Sequence, residues 1–193
     1  DAYPILDGAK VYKTPDGYSN TKPCEYVNGF CIDCGIYQSA FLNENVYEIS
    51  NAGQLYWFAA RVNGGKTSIN GKLMADIVVN ENVLKADGTL NGDGSNFRVW
   101  TPIGNYDYQY IGTFDGNGKT VSGLYFKDAE KDYVGLFGYV DNGCVKNVGV
   151  VDSYLSGRYY IGGVVGYNDW GTVSNSYNTG SVSGSYYVGG VVG

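Results

Sequence analysis

The chain has 193 residues, 44% of them hydrophobic, which is enough to bury a core. Its 13 Lys and Arg against 19 Asp and Glu give a net charge of −6 without any basic cluster, which argues against nucleic acid as a partner. No stretch of about 18 apolar residues predicts a membrane span, and the absence of His removes the commonest general base and metal ligand.

Thirty Gly and 20 Tyr point to short strands joined by tight turns, because Gly supplies positive φ where strands bend. The class expected is all-β. Residues 1–42 read as a small turn-rich appendage, with turn signals at Asp7-Gly8, Pro15-Asp16-Gly17 and Asn28-Gly29 that predict a pair of hairpins with little core. This segment carries Cys24, Cys31 and Cys34, followed by Gly35. A Cys-x2-Cys-Gly element points two thiolates at one metal, so the three are candidate zinc ligands. A fourth ligand would have to be Glu25, Asp33, another carboxylate or Cys144; a Cys24–Cys34 or Cys31–Cys34 disulfide is the expected state of so small a segment, with free thiols as the other alternative.

Residues 43–193 read as one winding structure. Asn51 and Gln54 form a capping-box pattern, and Leu55, Phe58, Ala59 and Val62 then fall at helical spacing before Asn63-Gly64-Gly65, predicting a helix over about 51–62. Its expected role is to cover the end of an apolar core that cannot face water. Residues 70–130 read as irregular first coils. Within them, Asp87, Asn91, Asp93 and Ser95 alternate as calcium loops do, but the register fails, so a solvated turn is expected. No cofactor is expected, with calcium here and zinc at the cysteines as the alternatives. Tyr106, Tyr108 and Tyr110 alternate and predict a strand face carrying three phenols, a candidate glycan surface together with Tyr159 and Tyr186; Trp57, Trp100 and Trp170 add aromatic surface. Asp115-Gly-Asn-Gly118 reads as a turn.

From about 131 to 193 the sequence repeats. Tyr133-Val-Gly-Leu-Phe-Gly138, Tyr160-Ile-Gly-Gly-Val-Val-Gly166 and Tyr187-Val-Gly-Gly-Val-Val-Gly193 are versions of one phrase, spaced 28 and then 27 residues apart at their last Gly. Such a period is the signature of stacked units that each bury their apolar face only against a neighbour. Three short strands per turn account for it. Residues one period apart should then form ladders: Val145 over Val173, Val164 over Val191, Asn147 over Asn175 and Tyr159 over Tyr186. Cys144 reads as a small buried residue on one of these strands. The last coil, ending at Gly193, is expected to continue in a longer chain or to self-associate through its edge.

The segments Gly135-Leu-Phe-Gly138, Gly163-Val-Val-Gly166 and Gly190-Val-Val-Gly193 resemble the GLUG motif of bacterial surface proteins and IgA-peptidase-like secreted proteins. Residues 100–124, from Trp100-Thr-Pro-Ile-Gly104 to Ser122-Gly-Leu124, resemble the segment that leads into such repeats. The resemblance implies a right-handed parallel β-helix, exported to the cell surface, with no catalytic residues to transfer. A β-helix hydrolase would also need clustered Asp with His and basic companions, whereas Asp107, Asp115, Asp128, Asp132, Asp141, Asp152 and Asp169 are dispersed at turns. The expected function is a non-enzymatic extracellular structural or adhesive module, with host or cell-wall glycan or protein as partner. The alternatives are a carbohydrate-binding module, or an accessory segment of a secreted protease or polysaccharide-degrading enzyme.

Overall fold

The computed structural model describes residues 23–193 in full and, as backbone only, the strands Ala2–Leu6, Ala9–Thr14 and Gly17–Ser19. These three strands pair antiparallel in sequence order. The turn signals at Asp7-Gly8 and Pro15-Asp16 lie outside the described residues.

From Val46 onward the chain is a parallel β-solenoid, and Phe41–Asn43 lies antiparallel on its first rung. One side is a ladder of five successive rungs, formed by Val46–Ile49, Asn70–Leu73, Thr113–Ser122, Cys144–Val151 and Thr172–Ser174, all paired parallel. A second side stacks Tyr125–Lys127, Tyr154–Ser156 and Ser181–Ser183. The third is bent at the glycines of the repeated phrase, so that Tyr159–Gly162 pairs with Tyr186–Gly189 and Phe137–Asp141 with Val165–Asp169. A full coil therefore holds four strand segments rather than three, because the double glycine breaks the third side in two.

The register places like over like. Val145 pairs with Val173, and the Val164 N–H donates to the Val191 carbonyl at 3.0 Å. Asn175 Nδ2 donates to Asn147 Oδ1 at 3.2 Å, and Asn147 Nδ2 passes the ladder to Asp115 Oδ1 at 3.0 Å. Left-handed backbone recurs in the same register, at Asn147 (φ 57°) and Asn175 (φ 48°), and at Tyr133, Tyr160 and Tyr187 (φ 61°, 60° and 53°). Asn tolerates this region; Tyr does not readily, and its repetition means the coil imposes it. The phrase's final Gly is part of that arrangement, since a Cβ on Gly166 would stand 2.7 Å from the Tyr160 carbonyl oxygen and 2.8 Å from that of Gly138. Asp115-Gly-Asn-Gly118, expected as a turn between strands, is instead a bend inside the strand Thr113–Ser122, where the pairing register shifts and Asn117 and Gly118 take positive φ.

The interior changes character along the axis. Later coils are filled by Val145, Val148, Val150, Leu155, Ile161, Val164 and Val165, while the first coils hold Trp100, Tyr110, Phe114 and Phe137. The helix α1, Ala52–Asn63, lies over this aromatic end. Gln54 N–H donates to Asn51 Oδ1 at 2.9 Å, and the reciprocal bond runs from Ser50 N–H to Gln54 Oε1 at 2.7 Å, one residue earlier than the usual box. Leu55, Phe58, Ala59 and Val62 are all buried, and the Phe58 ring meets Phe114 at 5.8 Å and Tyr110 at 6.1 Å between centroids. Wide aromatic side chains fill the open end and give the helix an apolar floor that a Val-lined coil would not.

Phe114 touches both the helix and, through Phe137 at 5.1 Å, the next coil. Phe114→Ala is expected to lower the unfolding free energy by about 3–5 kcal/mol. Urea denaturation followed by circular dichroism measures it, and a loss below about 1 kcal/mol would mean that the helix is not seated on this ring.

Candidate functional site

Among the described residues, two places collect chemistry outside the core. The first is a groove of about 740 Å³ beside the first coils, between residues 93–105 and 125–134. Its apolar lining includes Phe97, Val99 and Tyr125, and its polar lining includes Asp93, Asp128 and Asp132 with Lys127 and Lys131. The outer wall belongs to the irregular segment that separates the rungs Asn70–Leu73 and Thr113–Ser122. This segment is tied to the coil by Asp152, whose carboxylate accepts from the Val83 and Leu84 N–H groups at 3.2 and 2.9 Å, and by Trp100, whose Nε1 donates to the Gly135 carbonyl at 3.0 Å.

The carboxylates of the groove are engaged locally. Asp93 accepts from Ser95 N and Oγ at 2.9 and 2.7 Å, and Asp128 accepts from Glu130 N at 3.0 Å. Asp132 accepts two bonds of 2.8 Å from the Arg158 guanidinium, which together with the Tyr159 N–H hold its carboxyl below the usual range. Asp87 makes the same short turn with Thr89 as Asp93 does with Ser95, so the candidate calcium loop is two separate Asx turns whose oxygens face their own backbone.

The tyrosines sort differently from the sequence expectation. Tyr106 and Tyr108 are exposed, but Tyr110 is completely buried, with its hydroxyl donating to the Ile69 carbonyl at 3.0 Å and its phenol pushed well up by burial. The three do not share a face, because residues 105–109 form a turn and not a strand. Tyr159 and Tyr186 stack at 5.1 Å with planes 11° apart. A longer column was not singled out in the sequence: Tyr106, Tyr133, Tyr160 and Tyr187 stack at 6.3, 5.3 and 4.9 Å. Its signal was the Tyr that opens each repeated phrase. Tyr167 packs edge-on against it and Tyr139 at a tilt, and burial and Asp169 push the Tyr139 phenol up to about 12. Trp57 is half-buried, Trp100 is core, and Trp170 is exposed at a corner with φ 52°.

The second place is the cysteine cluster. Tyr26–Val27 and Phe30–Cys31 form an antiparallel hairpin whose turn is Asn28-Gly29, at φ 48° and 79°. The chain then closes a tight loop, with Gly35 N–H donating to Cys31 O and Cys31 N–H to Ile36 O, both at 2.9 Å. The loop brings Cys24, Cys31 and Cys34 together as free thiols, their Sγ atoms all within 4.8 Å of one another and those of Cys24 and Cys34 3.8 Å apart. Hydrogen bonds among the three lower the Cys31 thiol to about 7 and raise that of Cys24 to about 11. Cys144 stands apart, half-buried, between Thr113 and Thr172 on the long ladder.

A parallel solenoid whose rungs repeat a glycine-bracketed phrase is the class that this geometry defines. Residues 157–183 match the family model described as the GLUG motif, and the chain is a β-solenoid carrying that motif. It is 31% identical over 142 residues to halomucin of Haloquadratum walsbyi, across 72% of this chain and 2% of that protein. It is 32% identical over 79 residues to a protein of Evansella cellulosilytica named as a Gly-rich membrane protein, across 39% of this chain and 9% of that one. The match thus spans a small fraction of either relative. Among solved structures it is similar to an immunoglobulin A1 protease-like protein from Bacteroides ovatus, with a TM-score of 0.46 and 21% identity over 69% of this chain and 37% of that one. Among the described residues no helix is long and apolar enough to cross a membrane.

The Asp132–Arg158 pair links the groove to the repeats, and its energetic sign follows from the lowered carboxyl. Its stabilisation is complete above about pH 4 and disappears as pH falls through the depressed folded value. Because Arg158 is 42% exposed, Asp132→Asn is expected to cost less than about 1 kcal/mol near pH 7. Urea titrations of both proteins at neutral and strongly acidic pH check this: the difference should vanish at the acid end.

Proposed function

We propose that this chain is a non-enzymatic, extracellular structural module of a larger surface-associated protein, with residues 1–42 as an appendage at its capped end. The observation that carries the reading is the ladder chemistry. Tyr rings stacked face to face at 4.9–5.3 Å and 2–11° spend their faces on one another and hold successive coils in register. That is the construction of a stiff spacer. The GLUG match and the names of the two relatives, halomucin and a Gly-rich membrane protein, support surface association.

The groove supports a second, compatible role as a weak glycan-binding surface. Phe97 and Val99 offer apolar area, and the Lys and Asp at its rim offer hydrogen bonds to hydroxyl groups.

The purified chain, incubated with peptides and polysaccharides, is expected to release no product; cleavage abolished by Asp93→Asn or Asp132→Asn would make it an enzyme. In titrations with soluble oligosaccharides followed by tryptophan fluorescence or NMR, Phe97→Ala is expected to weaken binding by about fivefold, the equivalent of about 1 kcal/mol. If no oligosaccharide binds at millimolar concentration, the structural role stands alone.

A further inference from the structure

We infer that Cys24, Cys31 and Cys34 form a three-thiolate site for a thiophilic divalent cation of the zinc class, with one coordination position open to a ligand from outside the cluster. Two observations lead there. The sulfurs converge as a set, all within 4.8 Å, whereas a disulfide needs only two and would leave the third thiol behind. Zinc–sulfur bonds of about 2.3 Å at tetrahedral angles put neighbouring sulfurs about 3.8 Å apart, the separation found between Cys24 and Cys34, 3.8 Å.

Sulfur donors select soft and borderline ions over calcium or magnesium. Among the described residues no carboxylate belongs to the cluster, and the chain has no His, so the fourth donor is water or a group from outside the described cluster. Cys31 is buried and Cys34 is exposed, which leaves the open position on the solvent side.

The site sits where it would brace the solenoid. Asn28, in the turn of the cysteine hairpin, accepts from Gly53 N–H at 2.9 Å with its carbonyl and from Ala52 N–H at 3.2 Å with its side chain, so it covers the start of α1. Its Nδ2 donates to the Val78 carbonyl at 2.8 Å. A Cβ on Gly53 would stand 1.8 Å from the Gly29 carbonyl oxygen, so the hairpin and helix meet backbone to backbone. Phe30 packs against Tyr37 and Tyr56, with the Arg98 guanidinium 3.7 Å from its ring centre. An ion that fixed the loop would therefore fix the lid of the core.

The test uses the full chain, purified reduced and titrated with Zn²⁺, and with Co²⁺ as the spectroscopic probe. One ion per chain is expected, with a thiolate-to-Co²⁺ charge-transfer band and Zn²⁺ protection of three of the four thiols from alkylation. Loss of outer partners alone weakens metal sites by about 10–100-fold, so replacing all three ligands by Ser is expected to cost more than about 100-fold. Cys144→Ser should bind as the native chain does. Alkylation protection reads the site without any substitution, so a variant that fails to fold does not blunt the test. Absence of uptake by the reduced chain, undiminished uptake in the triple variant, or a disulfide among these cysteines in the freshly isolated protein would overturn the assignment.

Discussion

Parallel rungs stack only when every coil makes the same backbone turn at the same height, and in this chain that condition rests on residues held in the left-handed region. Asn147 and Asn175 turn the long ladder, and Tyr133, Tyr160 and Tyr187 turn the side opposite, each in register with its counterpart. Because the turns coincide, the side chains beside them coincide too. The Asn column then closes its own hydrogen bonds and the Tyr column its own ring contacts. A Tyr at positive φ is costly in isolation. Repeated beneath an identical neighbour, it gains a stacking partner on each face, and the strain is offset by contacts available only to a ring in that position. The bracketing Gly is part of the same constraint, since no larger residue fits against the Tyr160 carbonyl.

The capped end solves a different problem. A stacked coil presents its interior at its first rung, and aliphatic residues there would face water or a poorly matched helix. The first coils hold Trp100, Tyr110 and Phe114, whose rings reach α1 and pack edge-on against Tyr56 and Phe58, with Phe137 behind Tyr110 and Phe114. The polar tips within this floor find backbone acceptors: Tyr56 donates to Val99, Tyr110 to Ile69 and Trp100 to Gly135. Aromatic size closes the end, and the phenol and indole handles fix the irregular loops around it.

What could be read in the sequence follows from this division. The repeats were legible because their register is local information restated every 27 or 28 residues, and Val145 over Val173 or Asn147 over Asn175 needs only that period. The helix was legible from Asn51, Gln54 and the spacing of Leu55, Phe58, Ala59 and Val62. Tyr110 departs from the alternation it shares with Tyr106 and Tyr108 because the chain turns at 105–109 and drives that ring inward. Nor does alternation of Asp and Asn reveal that Asp87 and Asp93 bond their own turns. The convergence of Cys24 on the Cys31-x2-Cys34 loop depends on hairpin pairing across Asn28-Gly29, which spacing suggests but does not determine. The groove depends on a non-repeating segment folding back on the coil, for which no periodic signal exists.

That contrast bears on where a solenoid can carry recognition. Like-on-like stacking buries the faces that a ligand would use, so the more regular the repeat, the less apolar surface it offers sideways. In the tyrosine column, Tyr133 and Tyr160 each have a ring on both faces, leaving only edges and hydroxyls outward. Open apolar surface and clustered sulfur both appear where the period is interrupted, in the segment 93–105 and in the hairpin over α1. Regular coils supply length and stiffness, and chemistry gathers at the irregular end, where loops are free of the register and can point side chains at something other than their own repeat.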